Sequence, residues 1–156
     1  MAGTFSQIYI QVVFTVKGRN NLIGKDWKED INKYIAGIIK GKGQKPIIVN
    51  GMPDHEHIFL SLKPSMPISD LVRDIKNNSS NFINKQGFVR GKFSWQDGYG
   101  GFTYSRSQLD NVYKYIENQE RHHLLESFRK EYISMLDKEE ILYDSRFLFD
   151  FFDDGN

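Results

Sequence analysis

The 156 residues include no cysteine, so the chain has neither disulfides nor thiolate sites, and a reducing cytoplasm suits it. No apolar run approaches the roughly 20 residues that span a bilayer, and the N-terminus lacks the charged-then-apolar pattern of a secretory signal. No internal repeat or low-complexity tract is present. A dominant charge is also missing. The formal net charge is +1, which fits a soluble protein and does not by itself announce a nucleic-acid binder. The His-Glu-x-x-His signature of helical zinc proteases is absent, because residue 59 is Phe. The length suits one domain, 1–156, with one sizeable core.

The most informative stretch is Met52-Pro53-Asp54-His55-Glu56-His57-Ile58-Phe59-Leu60. It reads as a strand. Side chains alternate along a strand, so His55 and His57 share one face, where two imidazoles can hold one metal ion. Ile58, Leu60 and Leu62 look like core.

The remaining elements follow from hydrophobic period. Phe5 to Val16 alternates, with Ile8, Ile10, Val12, Phe14 and Val16 on one face. From Asp26 the period becomes helical through Trp27, Ile31, Tyr34, Ile35, Ile38 and Ile39, until Gly41 and Gly43 stop it. Ile47-Ile48-Val49 is a short strand, and Asn50-Gly51 signals a hairpin turn. After Pro64 and Pro67, Ser69 is the expected N-cap of a second helix bearing Leu71, Val72, Ile75, Ser79, Phe82 and Ile83. Phe93 to Tyr104 is expected to be a fourth strand, bulged or broken at its glycines. Ser105 or Ser107 caps a third helix with Leu109, Val112 and Ile116 facing the body and His122-His123 near its end. Phe128, Tyr132, Met135 and Leu136 predict a short fourth helix, before an acidic, aromatic tail over 144–156.

The order β-α-β-β-α-β defines an α+β, ferredoxin-like (split βαβ) antiparallel sheet with two helices on one face, followed by further C-terminal helices. The first and third strands are then central, and the histidines lie on the face opposite those two helices.

A catalytic metal needs a third ligand and an open position. Tyr115 and Gln119 are four residues apart and share a helix face, whereas Tyr113 points elsewhere. Packed over the histidines, Gln119 can offer a carbonyl oxygen beside the Tyr115 phenol. A phenol next to a divalent cation suits attack on phosphorus, giving a covalent phosphotyrosine.

These residues carry a resemblance. Val13-Phe14-Thr15-Val16-Lys17, Met52-Pro53-Asp54-His55-Glu56-His57 and Leu71-Val72-Arg73-Asp74-Ile75-Lys76 with Ser79-Ser80 occur in order. Trp95-Gln96-Asp97-Gly98-Tyr99-Gly100 with Phe102, and Tyr115-Ile116-Glu117-Asn118-Gln119 with His122-His123, follow. The set resembles the single-tyrosine transposases of the HUH endonuclease superfamily (IS200-like) of small bacterial insertion sequences. The resemblance implies Tyr115 as nucleophile, His55, His57 and Gln119 as metal ligands, and Mg2+ or Mn2+ as the ion. It implies nicking and rejoining of single-stranded DNA with hairpins at element ends, by a cytoplasmic, nucleoid-associated homodimer. The family also includes domesticated proteins that process host repeats.

One residue departs from the family pattern. Glu56 stands where a bulky hydrophobic residue is usual, and it points toward the core face, where a buried charge is costly unless paired. Lys17, Arg19, Lys76 and Arg106, with Lys85, Arg90 and Lys92, are candidate phosphate contacts. Trp95, Tyr99, Phe102 and Tyr104 could stack on bases or fill core. Two other functions fit the pattern: a non-catalytic single-stranded nucleic-acid binder and a small metallohydrolase using activated water.

Overall fold

The computed structural model describes residues 3–123 and 125–152. Its elements are β1 (Tyr9–Thr15), α1 (Lys28–Gly41), β2 (Lys45–Met52), β3 (His55–Ser61), α2 (Ile68–Gln86), β4 (Gly100–Tyr104), α3 (Leu109–Glu117), α4 (Gln119–His123) and α5 (Phe128–Lys138). The four strands form one antiparallel sheet in the order β2-β3-β1-β4. This is the expected split βαβ arrangement, with β1 and β3 central.

Register divides the side chains between two faces. Val13 lies opposite His57 and Thr15 opposite His55, so Gln11, Val13 and Thr15 share the histidine face. Ile10, Val12 and Phe14 fall on the other face with Ile58 and Leu60. There they meet the α1 stripe Ile31, Ile35 and Ile39 and the α2 residues Leu71, Ile75 and Ile83. Each fully buried aliphatic side chain contributes about 1.5–3 kcal/mol. Tyr34 stacks on Phe82 at 4.0 Å, joining α1 to α2.

Four local expectations are corrected. Asn50-Gly51 is not the hairpin turn; both residues continue β2, and the chain reverses at Pro53-Asp54. Gly51 lies opposite Glu56, and a Cβ there would come within 2.9 Å of the Glu56 carboxylate and closer still to the His55 carbonyl oxygen. Its bareness serves close approach rather than a turn. Pro67, not Ser69, precedes the first turn of α2, because a proline needs no N–H partner there. The fourth strand is confined to Gly100–Tyr104, and Trp95 contributes only an isolated bridge to Val16. The third helix stops at Glu117, and Gln119 opens α4 instead of closing α3. Ser105 rather than Ser107 leads into this region, its backbone N–H donating to the Gln108 side chain at 2.9 Å.

The histidine face is covered as well. α3 sits on Phe59 through Val112 and Ile116. Asn50 donates from β2 to the Ile116 carbonyl at 2.8 Å, satisfying a helix-end carbonyl and pinning α3 to the sheet. α5 begins at Ser127, whose hydroxyl accepts from the Lys130 N–H, and lays Phe128, Tyr132 and Leu136 inward. The tail docks through 152: Phe149 is buried, and Gln96 exchanges two 2.8 Å hydrogen bonds with the Asp150 backbone. Residues 153–156 of the tail lie outside the described residues.

Gly100 shows how tightly α5 is seated. A Cβ there would stand 2.7 Å from the Tyr132 ring and 2.8 Å from its hydroxyl. Gly100→Ala is expected to destabilise the protein by about 1–3 kcal/mol through overpacking, read as a lower midpoint in thermal unfolding. An unchanged midpoint would mean that α5 is not held against this strand.

Candidate active site

The histidines occupy β3, a strand buried on both faces. Both rings are completely buried. Each is oriented by a hydrogen bond to its Nδ1 atom. His55 Nδ1 is 2.7 Å from Asp54 Oδ1, and His57 Nδ1 is 2.6 Å from Gln11 Oε1. Gln11 is itself fixed, because its amide nitrogen donates to the Tyr104 hydroxyl at 2.9 Å. The Gln11 oxygen therefore accepts from Nδ1–H of His57. Such partners set which imidazole nitrogen is left for a metal. The Nε2 atoms of both rings turn toward one point.

Two oxygens meet them. Gln119 Oε1 is 3.3 Å from His55 Nε2. Glu131 Oε1 lies 3.1 Å from His57 Nε2 and 3.5 Å from His55 Nε2. The other Glu131 oxygen, Oε2, accepts from the Tyr115 hydroxyl and from the Gln119 amide at 3.3 Å. Tyr115 also packs its ring against His57, at 6.1 Å, and His122, at 4.4 Å. Phe128 stacks on His55 at 3.8 Å and closes the site from the α5 side.

Electrostatics follow from burial and pairing. Burial opposes a charged His55, but hydrogen bonds with Asp54 and Glu131 outweigh it and raise its pKa to about 9. Burial would raise the Glu131 carboxyl, but hydrogen bonds with His55 and His57 hold it far below the usual carboxylate range. Burial pushes the Tyr115 phenol up, and the Glu131 charge beside it pushes the same way, so the hydroxyl keeps its proton and donates.

The sequence-derived site residues divide into two groups. Tyr115, Gln119, His55 and His57 come together, all within one chain. The four basic candidates do not form one patch. Lys76 turns inward to the carbonyls of Gln96 and Gly98 and over the Phe14 ring, at 5.3 Å. Arg19 reaches the Phe152 carbonyl at 3.3 Å. Lys17 is exposed just beyond one end of β1, while Arg106 donates to the Tyr9 hydroxyl at the other, at 3.3 Å. Trp95 and Phe102 are buried, with the Trp95 indole N–H donating to Ser79, so both fill core.

Glu131 was missed from sequence. The available signal was a carboxylate inside the apolar stripe Phe128, Tyr132, Met135, Leu136, where a purely structural helix carries none. Glu56 was foreseen as a problem, and the structure supplies its answer. It is fully buried, and the Asn32 amide of α1, in the orientation that satisfies both groups, donates to its two oxygens at 3.0 and 3.1 Å.

A cleft of about 400 Å³, lined by Gln11, Phe102, Tyr104, Asn111, Tyr115 and Glu131, opens onto the tyrosine. The Tyr115 phenol thus lines a cleft, with a buried cluster of two histidines and two side-chain oxygens beside it. Residues 4–119 match the family described as "Transposase IS200 like", three-quarters of the sequence, and the chain belongs to that family of transposases.

Among curated proteins it is similar to the ISDra2 transposase TnpA of Deinococcus radiodurans, 25% identical over 122 residues that cover 75% of this chain and 87% of the relative. Its fold is similar to a crystal structure of a transposase candidate from Deinococcus radiodurans R1 (TM-score 0.59, 22% identity, 76% of this chain and 95% of that one). It is also similar to a REP-associated tyrosine transposase bound to a REP hairpin (TM-score 0.57, 14% identity, 79% and 74%). Among the described residues, no helix is long and apolar enough to cross a membrane.

Proposed function

We propose that this transposase nicks and rejoins single-stranded DNA through a 5′-phosphotyrosine at Tyr115, with Mg2+ or Mn2+ held by His55, His57 and Gln119. The observation that carries the reading is the convergence of both histidine Nε2 atoms and the Gln119 oxygen immediately behind the Tyr115 phenol. The donor set fits a divalent ion: imidazole nitrogens with their Nδ1 atoms held by Asp54 and Gln11, and oxygen donors beside them. When bound, the ion polarises a phosphate oxygen and offsets the charge that builds on the phosphoryl group.

The chain's own residues do the rest. α3, pinned by Asn50, presents Tyr115 to the cleft. The phenol oxygen bonds to phosphorus while the bond to the 3′ oxygen breaks. The phenol proton passes through solvent to the departing oxygen, which leaves as a free 3′ hydroxyl. Because the phosphotyrosine keeps the energy of the broken phosphodiester, a 3′ hydroxyl can later attack it and rejoin a strand without a nucleotide cofactor. The relative bound to a REP hairpin supports folded single strands as the substrate class. A homodimer that binds one hairpin per subunit fits this reading.

The test is covalent capture. Wild-type protein mixed with labelled single-stranded DNA from the flanks of its own gene is expected to form a denaturation-resistant adduct with Mn2+ or Mg2+. EDTA or His57→Ala is expected to abolish it. Salt-sensitive binding to the same DNA without any adduct would instead assign the protein to the binding-only class.

A further inference from the structure

Glu131 is the one member of the buried cluster that the reading above leaves without a task. Its surroundings are costly for a carboxylate. It is 2% exposed, on the inward stripe of α5 between Phe128 and Tyr132. A buried charge persists only with close partners. Here the partners are the site itself. Oε1 faces both histidine Nε2 atoms, at 3.1 and 3.5 Å, and Oε2 accepts from the Tyr115 hydroxyl and the Gln119 amide.

The 3.1 and 3.5 Å that separate Oε1 from the two nitrogens also suit donors around one ion. Two donors bound about 2.1–2.2 Å from one ion stand ~3–3.5 Å apart. The ligand atoms of His55, His57 and Glu131 all lie within 4.8 Å of one another. The helix that brings Glu131 is well seated, through Phe128 on His55 and Tyr132 against Gly100. Glu131 also lies outside residues 4–119, which match the family. The remaining C-terminal segment thus reaches back into the centre of the matched part.

We infer that Glu131 links ion to nucleophile: Oε1 joins the two histidines as an anionic metal ligand, while Oε2 holds the Tyr115 hydroxyl beside the ion. The inference rests on the metal-and-tyrosine reading above. Two consequences follow from the donor set. A carboxylate shifts a His-rich set toward hard, oxygen-loving ions such as Mn2+ and Mg2+. Four protein groups also fill a four-coordinate ion, leaving no position for a phosphate oxygen, whereas a six-coordinate ion keeps two. Were all four groups to bind, the donor set would suit a six-coordinate cation better than a tetrahedral Zn2+ of the structural kind.

Mn2+ binding, read by the loss of the free-ion electron paramagnetic resonance signal, tests the ligand half without any reaction. Glu131→Gln keeps the side-chain volume and removes the charge, and is expected to weaken Mn2+ binding at least ~10-fold. Tyr115→Phe, which leaves every proposed ligand in place, is expected to bind Mn2+ as wild type does. Adduct formation at saturating Mn2+ tests the other half. Glu131→Ala is expected to stay slower than wild type even when the metal is saturating, because the tyrosine has lost its tether.

Wild-type-like Mn2+ affinity in Glu131→Gln, alongside lost binding in His57→Ala, would overturn the ligand role and leave the proposed function standing. A plateau rate equal to wild type in Glu131→Ala would overturn the tether. Absence of Mn2+ and Mg2+ binding in wild type would remove the metal reading and this inference with it. Far-UV circular dichroism reports folding. If Glu131→Gln does not fold, Glu131→Asp takes its place: it keeps the charge but withdraws it by one methylene. Weakened Mn2+ binding in that variant supports the role, and unaltered binding overturns it.

Discussion

Tyr115→Phe is expected to lower covalent adduct formation by at least about 10³-fold, since the proposed nucleophile itself is removed. Tyr113, two residues away, is exposed on another side of α3 and does not stand in. The same substitution leaves the Glu131 Oε2 atom with the Gln119 amide as its remaining described side-chain partner from this pair. Losing a hydrogen bond to a buried carboxylate costs about 1–3 kcal/mol, so the variant melts somewhat lower yet folds. The discriminating pattern is retained binding of single-stranded DNA and retained Mn2+ affinity without any adduct on a denaturing gel. An adduct that survives Tyr115→Phe would move the chemistry to a different side chain.

Glu56→Gln is expected to make the protein more stable at pH 8, by an amount that grows as pH rises from about 5 to about 8. Burial raises the Glu56 carboxyl from 4.5 to about 8, against the pull of the His55 and Lys28 charges. A carboxyl raised in the folded state favours folding most where it is protonated in both states, below about 4.5. That contribution is then lost as pH climbs, because the unfolded chain ionises freely while the folded one resists until about 8. The difference between variant and wild type across this window is on the order of 2–4 kcal/mol. Glutamine keeps the volume and an acceptor for Asn32, so the slope goes while the packing stays. Denaturant unfolding of both proteins from pH 5 to pH 8 measures it. A difference independent of pH would show that Glu56 titrates as an exposed carboxylate does.

The same residue shows how far a sequence carries. Alternation along β1 and β3 was enough to place His55 and His57 on one face and Glu56 on the other. The i to i+4 spacing was enough to set Tyr115 and Gln119 side by side, even though a helix break falls between them at Asn118. These are short-range rules, and they hold wherever the backbone is regular. What escaped was tertiary. Asn50-Gly51 has the chemistry of a tight turn, yet tertiary demand overrode it. Gly51 is bare because Glu56 lies across from it, and Asn50 is polar because α3 ends on it. Glu131 escaped for a related reason. Its partners are 12, 16, 74 and 76 positions away along the chain, at Gln119, Tyr115, His57 and His55, so no local window contains them.

The two groups that hold His57 on its opposite nitrogens are Gln11 and Glu131. One imidazole therefore joins β1 to α5, across 120 positions (131 minus 11). A ribosome has to deliver the chain through α5 before that ring has both neighbours. Strand β1 and the histidine hairpin can pair much earlier, leaving a half-made centre with no tyrosine in it. Along the chain the sheet strands that carry the histidines come first, the Tyr115 phenol later and the Glu131 carboxylate last. A polypeptide cut short before α5 carries both histidines, Gln119 and the tyrosine, yet lacks the Glu131 carboxylate that touches all four.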